Sequence, residues 1–227
     1  MALYAISDLH LSFDNEKPMD VFGEHWLNHD KRIKENWINK ISNEDTILIA
    51  GDISWSMKME QGMVDLEWIH KLPGRKIISK GNHDYWWNSI SKLNILYEDM
   101  NFIQNNFFTY EDYAVCGTRG WNPPGEKYTK HDEKIYNREK IRLRLSIDKA
   151  KNAGYEKIIV MLHYPPVNEK FEESDFTKIL QEHKVKKVIY GHLHGPSLRN
   201  VFEGKYNEVE YIMTSCDYIN FDPIKVL

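Results

Sequence analysis

The chain has 227 residues, of which 41% are hydrophobic and 28% are charged, with 12 glycines and 8 prolines. This composition excludes intrinsic disorder, a fibrous repeat and a disulfide scaffold, and a chain of this length commonly folds around one core, so we expect one domain over residues 1–227. Thirty Lys and Arg residues against 34 Asp and Glu residues give a net charge of −4, which argues against a general electrostatic footprint for nucleic acid.

Short apolar runs alternate along the chain with segments of helical periodicity. The runs are typical of buried strands, and apolar residues three or four positions apart are typical of one helix face. Parallel neighbouring strands need a crossover of about a dozen residues or more, which the helical segments supply, so the pattern predicts an α/β fold. In chain order it predicts strands at 2–7, 46–50, 76–79, 157–162 and 187–190, with helices at 33–41, 59–69 and 86–93.

Further strands predict a second, mixed sheet. Residues 107–110 and 113–116 flank Glu111-Asp112 and are predicted to form an antiparallel hairpin. Residues 209–215 are predicted to form another late strand.

The segment 127–151 is ambiguous in its periodicity. Its apolar residues at 141, 143, 145 and 147 alternate as in a strand, but the segment is long, charged and without turn residues. We therefore predict a helix that ends at Gly154. Nine basic and four acidic residues in this segment are more typical of a solvated helix face than of an anion-binding surface.

Nothing in the sequence indicates export or membrane insertion. Residues 1–6 lack a positively charged leader, and no run of 18 apolar residues follows. Cys116 and Cys216 are 100 positions apart and form no C-x-x-C pair, so the sequence indicates neither a disulfide framework nor a thiolate zinc site. We expect a cytoplasmic protein without a membrane segment.

The carboxyl ends of the predicted strands carry side chains of one chemical class. In an open α/β sheet, ligands bind beyond these ends. If the strand conformation continues, alternate residues such as Asp8 and His10, or His192 and His194, point the same way. The strand ends carry Asp8-Leu9-His10, Gly51-Asp52, Gly81-Asn82-His83-Asp84, His163 and Gly191-His192-Leu193-His194.

These side chains are typical of a divalent-metal site. Imidazole nitrogen and carboxylate oxygen suit Zn, Mn, Fe or Co, and the lack of thiolate argues against a purely structural zinc site. Seven candidate ligands are too many for one ion with an open position, but they suit two ions that share one carboxylate. The candidates are Asp8, His10, Asp52, Asn82, His163, His192 and His194.

The motifs together resemble the calcineurin-like metallophosphoesterase superfamily, whose pattern is D-x-H, G-D, G-N-H-[DE], a lone His and G-H-x-H. All five motifs occur here in that order, from residue 8 to residue 194. The resemblance implies two packed mixed β-sheets flanked by helices, in four α/β/β/α layers. It also implies that Asp8, His10 and His194 bind one metal, that Asn82, His163 and His192 bind the other, and that Asp52 bridges them.

The charges of such a centre predict a phosphoesterase reaction. Two divalent cations, two carboxylates and a bridging hydroxide leave a charge of about +1 to attract a phosphate, and the hydroxide is expected to attack phosphorus. His83 is similar to the family's non-ligand histidine beside the substrate and is the candidate donor to the leaving oxygen, with Asp84 expected to help hold its imidazole. Arg119 is a candidate phosphate ligand, although a surface turn is the commoner role for such a residue.

Single motifs also have ordinary structural explanations. Asn82 could cap a helix that begins near Tyr85, and His163 could be a packed histidine at a strand end. Trp55 and Trp121 are candidates to line a pocket, whereas the other five tryptophans are predicted to pack in the core. The histidines outside the motifs are assigned to the surface or to packing: His25, His29, His70, His131 and His183.

The sequence alone leaves three functions open. The favoured one is a two-metal phosphoesterase that acts on a small phosphate monoester or diester. A nuclease of the same superfamily is supported only by the basic segment 127–151, and a non-catalytic interaction scaffold is disfavoured by the complete ligand set. The protein-phosphatase branch carries G-D-x-V-D-R-G, and its arginine is absent from Gly51-Asp52-Ile53-Ser54-Trp55-Ser56.

Overall fold

Eleven strands form the centre of the computed structural model, which describes residues 1–14 and 17–227. Apolar side chains fill most positions of the inner strands, as expected for strands covered on both faces. In chain order the strands are β1 (Leu3–Ile6), β2 (Thr46–Ala50), β3 (Arg75–Ser79), β4 (Met100–Ile103), β5 (Phe107–Tyr110), β6 (Tyr113–Gly117), β7 (Lys157–Met161), β8 (Lys187–Tyr190), β9 (Gly204–Tyr206), β10 (Val209–Met213) and β11 (Ile224–Lys225).

The strands divide into two mixed sheets. The first has the order β11-β1-β2-β3-β4, in which β1 to β4 are parallel and β11 is antiparallel to β1. The second has the order β5-β6-β7-β8-β10-β9, in which the four inner strands are parallel and the two edge strands are antiparallel to their neighbours.

Helices connect and cover the sheets. They are α1 (His29–Lys40), α2 (Met59–His70), α3 (Ile90–Leu93), α4 (Lys130–Asn152) and α5 (Asp175–Glu182), with short 3-10 helices at Met19–Phe22, Glu24–Trp26 and Gly195–Asn200. Residues of α1 and α2 pack on the outer face of the first sheet, and residues of α4 and α5 pack on the outer face of the second.

An apolar layer between the sheets joins them face to face. Leu48 and Ile77 of the first sheet pack in one cluster with Ile159 and Ile189 of the second, and all four side chains are fully buried. The order of layers is therefore α/β/β/α, which confirms the predicted fold class. That residues 1–227 form one domain stays a prediction, and this shared layer supports it.

Most predicted elements are confirmed. The five strands, the hairpin and the long helix are present, and α4 begins with a capping box at Thr129 and is followed by Gly154 at φ 90°. The late strand ends at residue 213 rather than 215. The helix predicted at 86–93 is wrong in extent, because only Ile90–Leu93 is helical, and Trp86 instead turns inward to donate a hydrogen bond. Strands β4, β9 and β11 were not predicted.

Within the described residues no helix combines the length and the apolarity needed to cross a bilayer. Cys116 and Cys216 are both buried and free.

Removing side-chain volume between the sheets tests this architecture. We expect Ile159→Ala to lower the free energy of unfolding by about 2 to 5 kcal/mol, because it leaves a cavity in a fully buried layer. The control is Ile141→Ala on α4, where the side chain is 61% exposed and the expected change is within about 0.5 kcal/mol. Equal decreases in the free energy of unfolding of the two variants, measured by urea denaturation, would contradict the assignment of this layer.

Candidate metal centre

The five sequence motifs meet at one edge of the paired sheets. Three of them follow β1, β2 and β3, which are neighbours in the first sheet. The other two follow β7 and β8, which are neighbours in the second sheet. Because all five strands end at this edge and the sheets pack face to face, ligands from both sheets approach one another.

The backbone turns sharply at four of the candidate ligands. Asp8, His10, Asp52 and His192 all have positive φ, between 47° and 75°. The strand conformation therefore does not continue through Asp8 and His10 or through His192, so the condition for alternate residues to point the same way is not met. Left-handed backbone at residues with a side chain costs about 1 to 3 kcal/mol each and is typical of functional sites.

Glycines next to the ligands permit the close approach of neighbouring loops. A Cβ atom on Gly81 would collide with the carboxylate of Asp52, and one on Gly191 would collide with the carboxylate of Asp8. The glycines of these motifs are therefore needed because the ligand carboxylates lie against their Cα atoms.

Asp8, His10 and His194 form the first group of candidate ligands. Asp8 Oδ1 lies 3.2 Å from His194 Nε2 and 4.0 Å from His10 Nε2. The two imidazole nitrogens lie 3.4 Å apart. One ligand atom from each residue thus lies within 4.8 Å of the others.

Asp52, His163 and His192 form the second group. Asp52 Oδ2 and His192 Nδ1 each lie 3.3 Å from His163 Nε2, and Asn82 Oδ1 lies 2.8 Å from the same nitrogen. Asp52 Oδ2 also lies 3.9 Å from His10 Nε2 of the first group. Asp52 therefore stands between the two groups, where a bridging ligand would be.

The donor atoms fit divalent cations. Pairs of imidazole nitrogens face each other at 3.4 and 3.3 Å, with carboxylate oxygens converging on the same points. Two ligands about 2.1 Å from one tetrahedral ion are separated by about 3.4 Å, so these spacings suit a shared cation. His10 Nδ1 is buried and has no hydrogen-bond partner among residues 1–14 and 17–227, whereas its Nε2 faces the cluster.

Opposite charges dominate the electrostatics of the two carboxylates. Burial alone would raise the pKa of Asp8, but the charge of His194 and a hydrogen bond from it bring that pKa well below its ordinary value. Burial and the charge of His163 oppose each other in the same way at Asp52, and its pKa is also lowered. In return, the pKa of His163 rises to about 9 and that of His194 to about 10 despite burial.

The other two imidazoles are held neutral. Burial lowers the pKa of His10 to about 4 and that of His192 to about 3. Two ionised carboxylates are thus balanced by protons on His163 and His194. Because a metal ligand must be deprotonated, cations that replace these protons would release them to solvent.

Asp217 is a functional residue that the sequence motifs miss. Its Oδ1 lies 2.8 Å from His194 Nδ1, and its side chain is buried. Such a carboxylate fixes the ring so that Nε2 faces the cluster, and it raises the basicity of the ligand nitrogen. No motif marks Asp217, because only the return of the chain after β10 brings it behind His194. His25, assigned to the surface or to packing, also approaches Asp217, at 4.0 Å.

Asp84 has a different role from the expected one. Its Oδ1 accepts hydrogen bonds from the amides of Ile53 and Ser54 and from the indole of Trp86, and its Oδ2 accepts from the amides of Asp52 and Gly81. The carboxylate is fully buried among these donors, which are backbone amides and an indole rather than the imidazole of His83. It therefore fixes the loops that carry the ligands.

Arg119 also points elsewhere. Its guanidinium lies 3.9 Å from Glu139 and stacks over Trp121, in a cavity that shares no lining residue with the metal centre. Its backbone carbonyl accepts a hydrogen bond from the amide of His163. The expected contact of Arg119 with the phosphate at the metals is not supported, and Trp121 likewise packs on Tyr164 rather than lining the pocket at the centre.

A partly apolar cavity of about 280 Å³ opens beside the two groups. Trp55 stacks on His10 with ring centroids 4.8 Å apart and lies 4.2 Å from His83, so its predicted place in the pocket is confirmed. Trp26, predicted to pack in the core, is buried and also contacts the ring of His194. The cavity is lined by His10, Met19, Phe22, His25, Trp26, Asp52, Trp55, His83, His192, His194, Gly195 and Pro196.

Residues 1–196 match the sequence model of the calcineurin-like phosphoesterases. The chain belongs to this family. It is accordingly a metal-dependent phosphoric ester hydrolase, as the strand-end motifs predict.

Relatives of this phosphoesterase are distant in sequence. The Gene 66 protein of Mycobacterium phage D29 is 24% identical over 172 residues, which are 76% of this chain and 69% of that protein. The Gene 66 protein of Mycobacterium phage L5 is 22% identical over 192 residues, which are 85% of this chain and 77% of that protein.

Solved structures share the fold of this phosphoesterase. Phosphopantetheinyl hydrolase from Mycobacterium tuberculosis matches with a TM-score of 0.59 at 13% identity, over 100% of this chain and 95% of that one. The protein TT1561 of Thermus thermophilus matches with a TM-score of 0.55 at 12% identity, over 85% of this chain and 81% of that one.

Removing the charge behind His194 tests the assignment of Asp217. We expect Asp217→Asn to weaken metal binding by about 10- to 100-fold, because the ligand ring loses its charged hydrogen-bond partner. The control is Asp222→Asn, which removes an exposed carboxylate paired with Lys40. Competition for Mn²⁺ against a chromophoric chelator measures both affinities, and equal affinities would contradict the role of Asp217.

Proposed function

We propose that this phosphoesterase uses two divalent ions to hydrolyse a small phosphate monoester or diester. The observation that carries the proposal is the pair of ligand groups that meet at Asp52. Asp8, His10 and His194 would hold one ion. Asn82, His163 and His192 would hold the other, and Asp52 would bind both. Manganese, iron or zinc fits these nitrogen and oxygen donors.

The chain's own residues prepare the site for this chemistry. When bound, a pair of divalent ions would supply positive charge to the phosphate and lower the pKa of a water. The carboxylate of Asp84 fixes the loops through the amides of Asp52 and Gly81. Asp217 fixes His194 from behind. The ligand atoms are thus set before substrate arrives, so little reorganisation is needed during the reaction.

His83 is placed to assist the leaving group. Its Nε2 lies 4.0 Å from Asp52 Oδ2, and its side chain is one-third exposed toward the cavity, whereas its backbone amide donates to Asp52 Oδ1. Burial lowers the pKa of His83, so near neutral pH its ring carries one N–H. That N–H would donate a hydrogen bond to the oxygen that leaves phosphorus.

The walls of the cavity favour an apolar group on the leaving oxygen. Met19 and Trp26 form its buried side, Trp55 is partly buried beside them, and Phe22 at its mouth is 63% exposed. A charged or heavily hydrated alcohol would lose water against these side chains, whereas an aromatic or alkyl group would gain contact with them.

A nuclease is less well supported. Among the described residues, five of the nine cations of the segment 127–151 pair with a carboxylate of the protein, for example Lys140 with Asp175 and Arg144 with Glu182. Paired cations release few counterions on binding a nucleic acid. The fold is shared with a phosphopantetheinyl hydrolase, whose name indicates a substrate other than a nucleic acid. We also propose a cytoplasmic location, which the two buried free thiols support.

A panel of esters tests the proposed function. Protein loaded with Mn²⁺ is assayed on bis-p-nitrophenyl phosphate, p-nitrophenyl phosphate and glycerol phosphate. We expect hydrolysis of at least one aryl ester, in preference to glycerol phosphate, and its loss in Asp52→Asn but not in Asp222→Asn. Activity on none of the three would favour a scaffold, and cleavage of DNA that falls steeply with salt would favour a nuclease.

Substitution of His83 tests its role separately from metal binding. We expect His83→Ala to keep its metal content but to lose about 10²- to 10⁴-fold in kcat on esters with a poor leaving group, because those esters depend most on the donor. On esters of p-nitrophenol, which depend less on the donor, we expect a smaller loss of kcat. His131→Ala, which removes an exposed histidine on α4, is the control. Loss of metal from His83→Ala would make His83 a ligand and contradict this role.

A further inference from the structure

A second cavity, of about 170 Å³, lies at the same edge of the sheets, between the ends of β3, β4 and β6 and the side of α4. It is smaller than the roughly 300 Å³ of an ordinary small-molecule pocket, so it suits one chemical group rather than a whole ligand. Its polar lining includes Lys80, Asn105, Arg119, Arg138, Glu139 and Arg142.

Positive charge exceeds negative charge in this lining. Four cations face one carboxylate, that of Glu139. Glu139 is fully buried, and its Oε1 lies 3.0 Å from Arg138, 3.1 Å from Arg142 and 3.9 Å from Arg119. A single carboxylate at the base of the cavity orders the arginines but neutralises only one of the four charges.

Two nitrogen donors of the lining lack a hydrogen-bond acceptor among the described residues. In the part of the chain that the structure describes, the ammonium of Lys80 is paired with no carboxylate; burial lowers its pKa, and the charges of Asp84 and Glu139 oppose that shift from farther away. Among the described residues, the Nε of Arg119 is buried without an acceptor. A buried donor without an acceptor is uncommon in folded proteins, and this one supports a bound group in the cavity.

The cavity is attached to the loops of the metal centre. Lys80 immediately precedes Gly81-Asn82, and the carbonyl of Arg119 holds the amide of His163. A row of rings also leads from one site to the other. Arg119 lies over Trp121, Trp121 packs on Tyr164, and Tyr164 packs on His192 with ring centroids 4.1 Å apart.

We propose that this cavity binds a second phosphate group, held by Lys80 and by the forked guanidinium groups of Arg119 and Arg142. Arginine binds phosphate through paired N–H donors, and lysine adds a point charge. The excess of charge and the size of the cavity select a compact dianion. That this phosphate belongs to the ester being hydrolysed rests on the proposed function, whereas the binding site itself does not.

Counting bound phosphate tests the site. Equilibrium dialysis of Mn²⁺-loaded protein against radiolabelled inorganic phosphate is compared for the wild type, for Lys80→Gln/Arg142→Gln and for Lys134→Gln. The last variant removes an exposed charge from the same helix α4. We expect the double variant to bind one phosphate fewer per chain than the wild type and than Lys134→Gln. The single variant Lys80→Gln retains all the arginines around Glu139. We expect it to lower the affinity for that phosphate about tenfold or more.

The difference in count is independent of the metal centre. If the metals bind no phosphate, the wild type binds one phosphate and the double variant binds none. The count therefore tests the cavity even if the proposed function is wrong. Equal counts of bound phosphate in all folded variants would overturn the proposal. The cavity would then contain only a network of internal ion pairs.

Kinetics separate the two sources of the phosphate. If it is part of the substrate, the double variant raises KM for a sugar bisphosphate about tenfold more than KM for p-nitrophenyl phosphate. An equal change in the two KM values, together with the lost phosphate, would assign the cavity to free phosphate.

Discussion

Two buried carboxylates constrain the rest of this structure. Asp8 and Asp52 lie fully out of solvent where the two sheets meet, and burying one uncompensated ion costs several kcal/mol. Imidazoles from both sheets supply the compensation, and the hydroxyl of Ser215 and the amide of His192 add hydrogen bonds to Asp8. The cluster therefore holds the two sheets together in addition to offering ligands for cations. A substitution at one ligand is expected to affect both ligand groups.

The same constraint explains the unusual backbone around the centre. Positive φ at Asp8 and Asp52 turns each carboxylate inward immediately after its strand, and the glycines opposite leave room for it. This strain is tolerated because the apolar layers on either side of each sheet hold the strand ends in place. Asp84 completes the arrangement by accepting hydrogen bonds from four backbone amides, including those of Asp52 and Gly81.

The sequence predicts those parts of the molecule that depend on local pattern. The strand-end motifs are recognisable because each ligand follows a short apolar run, and the seven candidate ligands do converge. Three roles were beyond prediction because they depend on contacts between distant segments. Asp217 reaches His194 only through the loop after β10, Asp84 meets amides some 30 residues earlier, and Arg119 turns toward Glu139 on α4. Edge strands such as β9 were not predicted for the same reason, because pairing with a neighbouring strand rather than composition defines them.

We expect one chain to hold two cations joined by Asp52. The most direct test combines metal analysis of Mn²⁺-loaded protein with electron paramagnetic resonance. Two ions per chain are expected, with a spectrum of two magnetically coupled Mn²⁺ ions, and Asp52→Asn is expected to lose the coupling. A single ion per chain at saturation, or two ions without magnetic coupling, would rule out a shared site at Asp52.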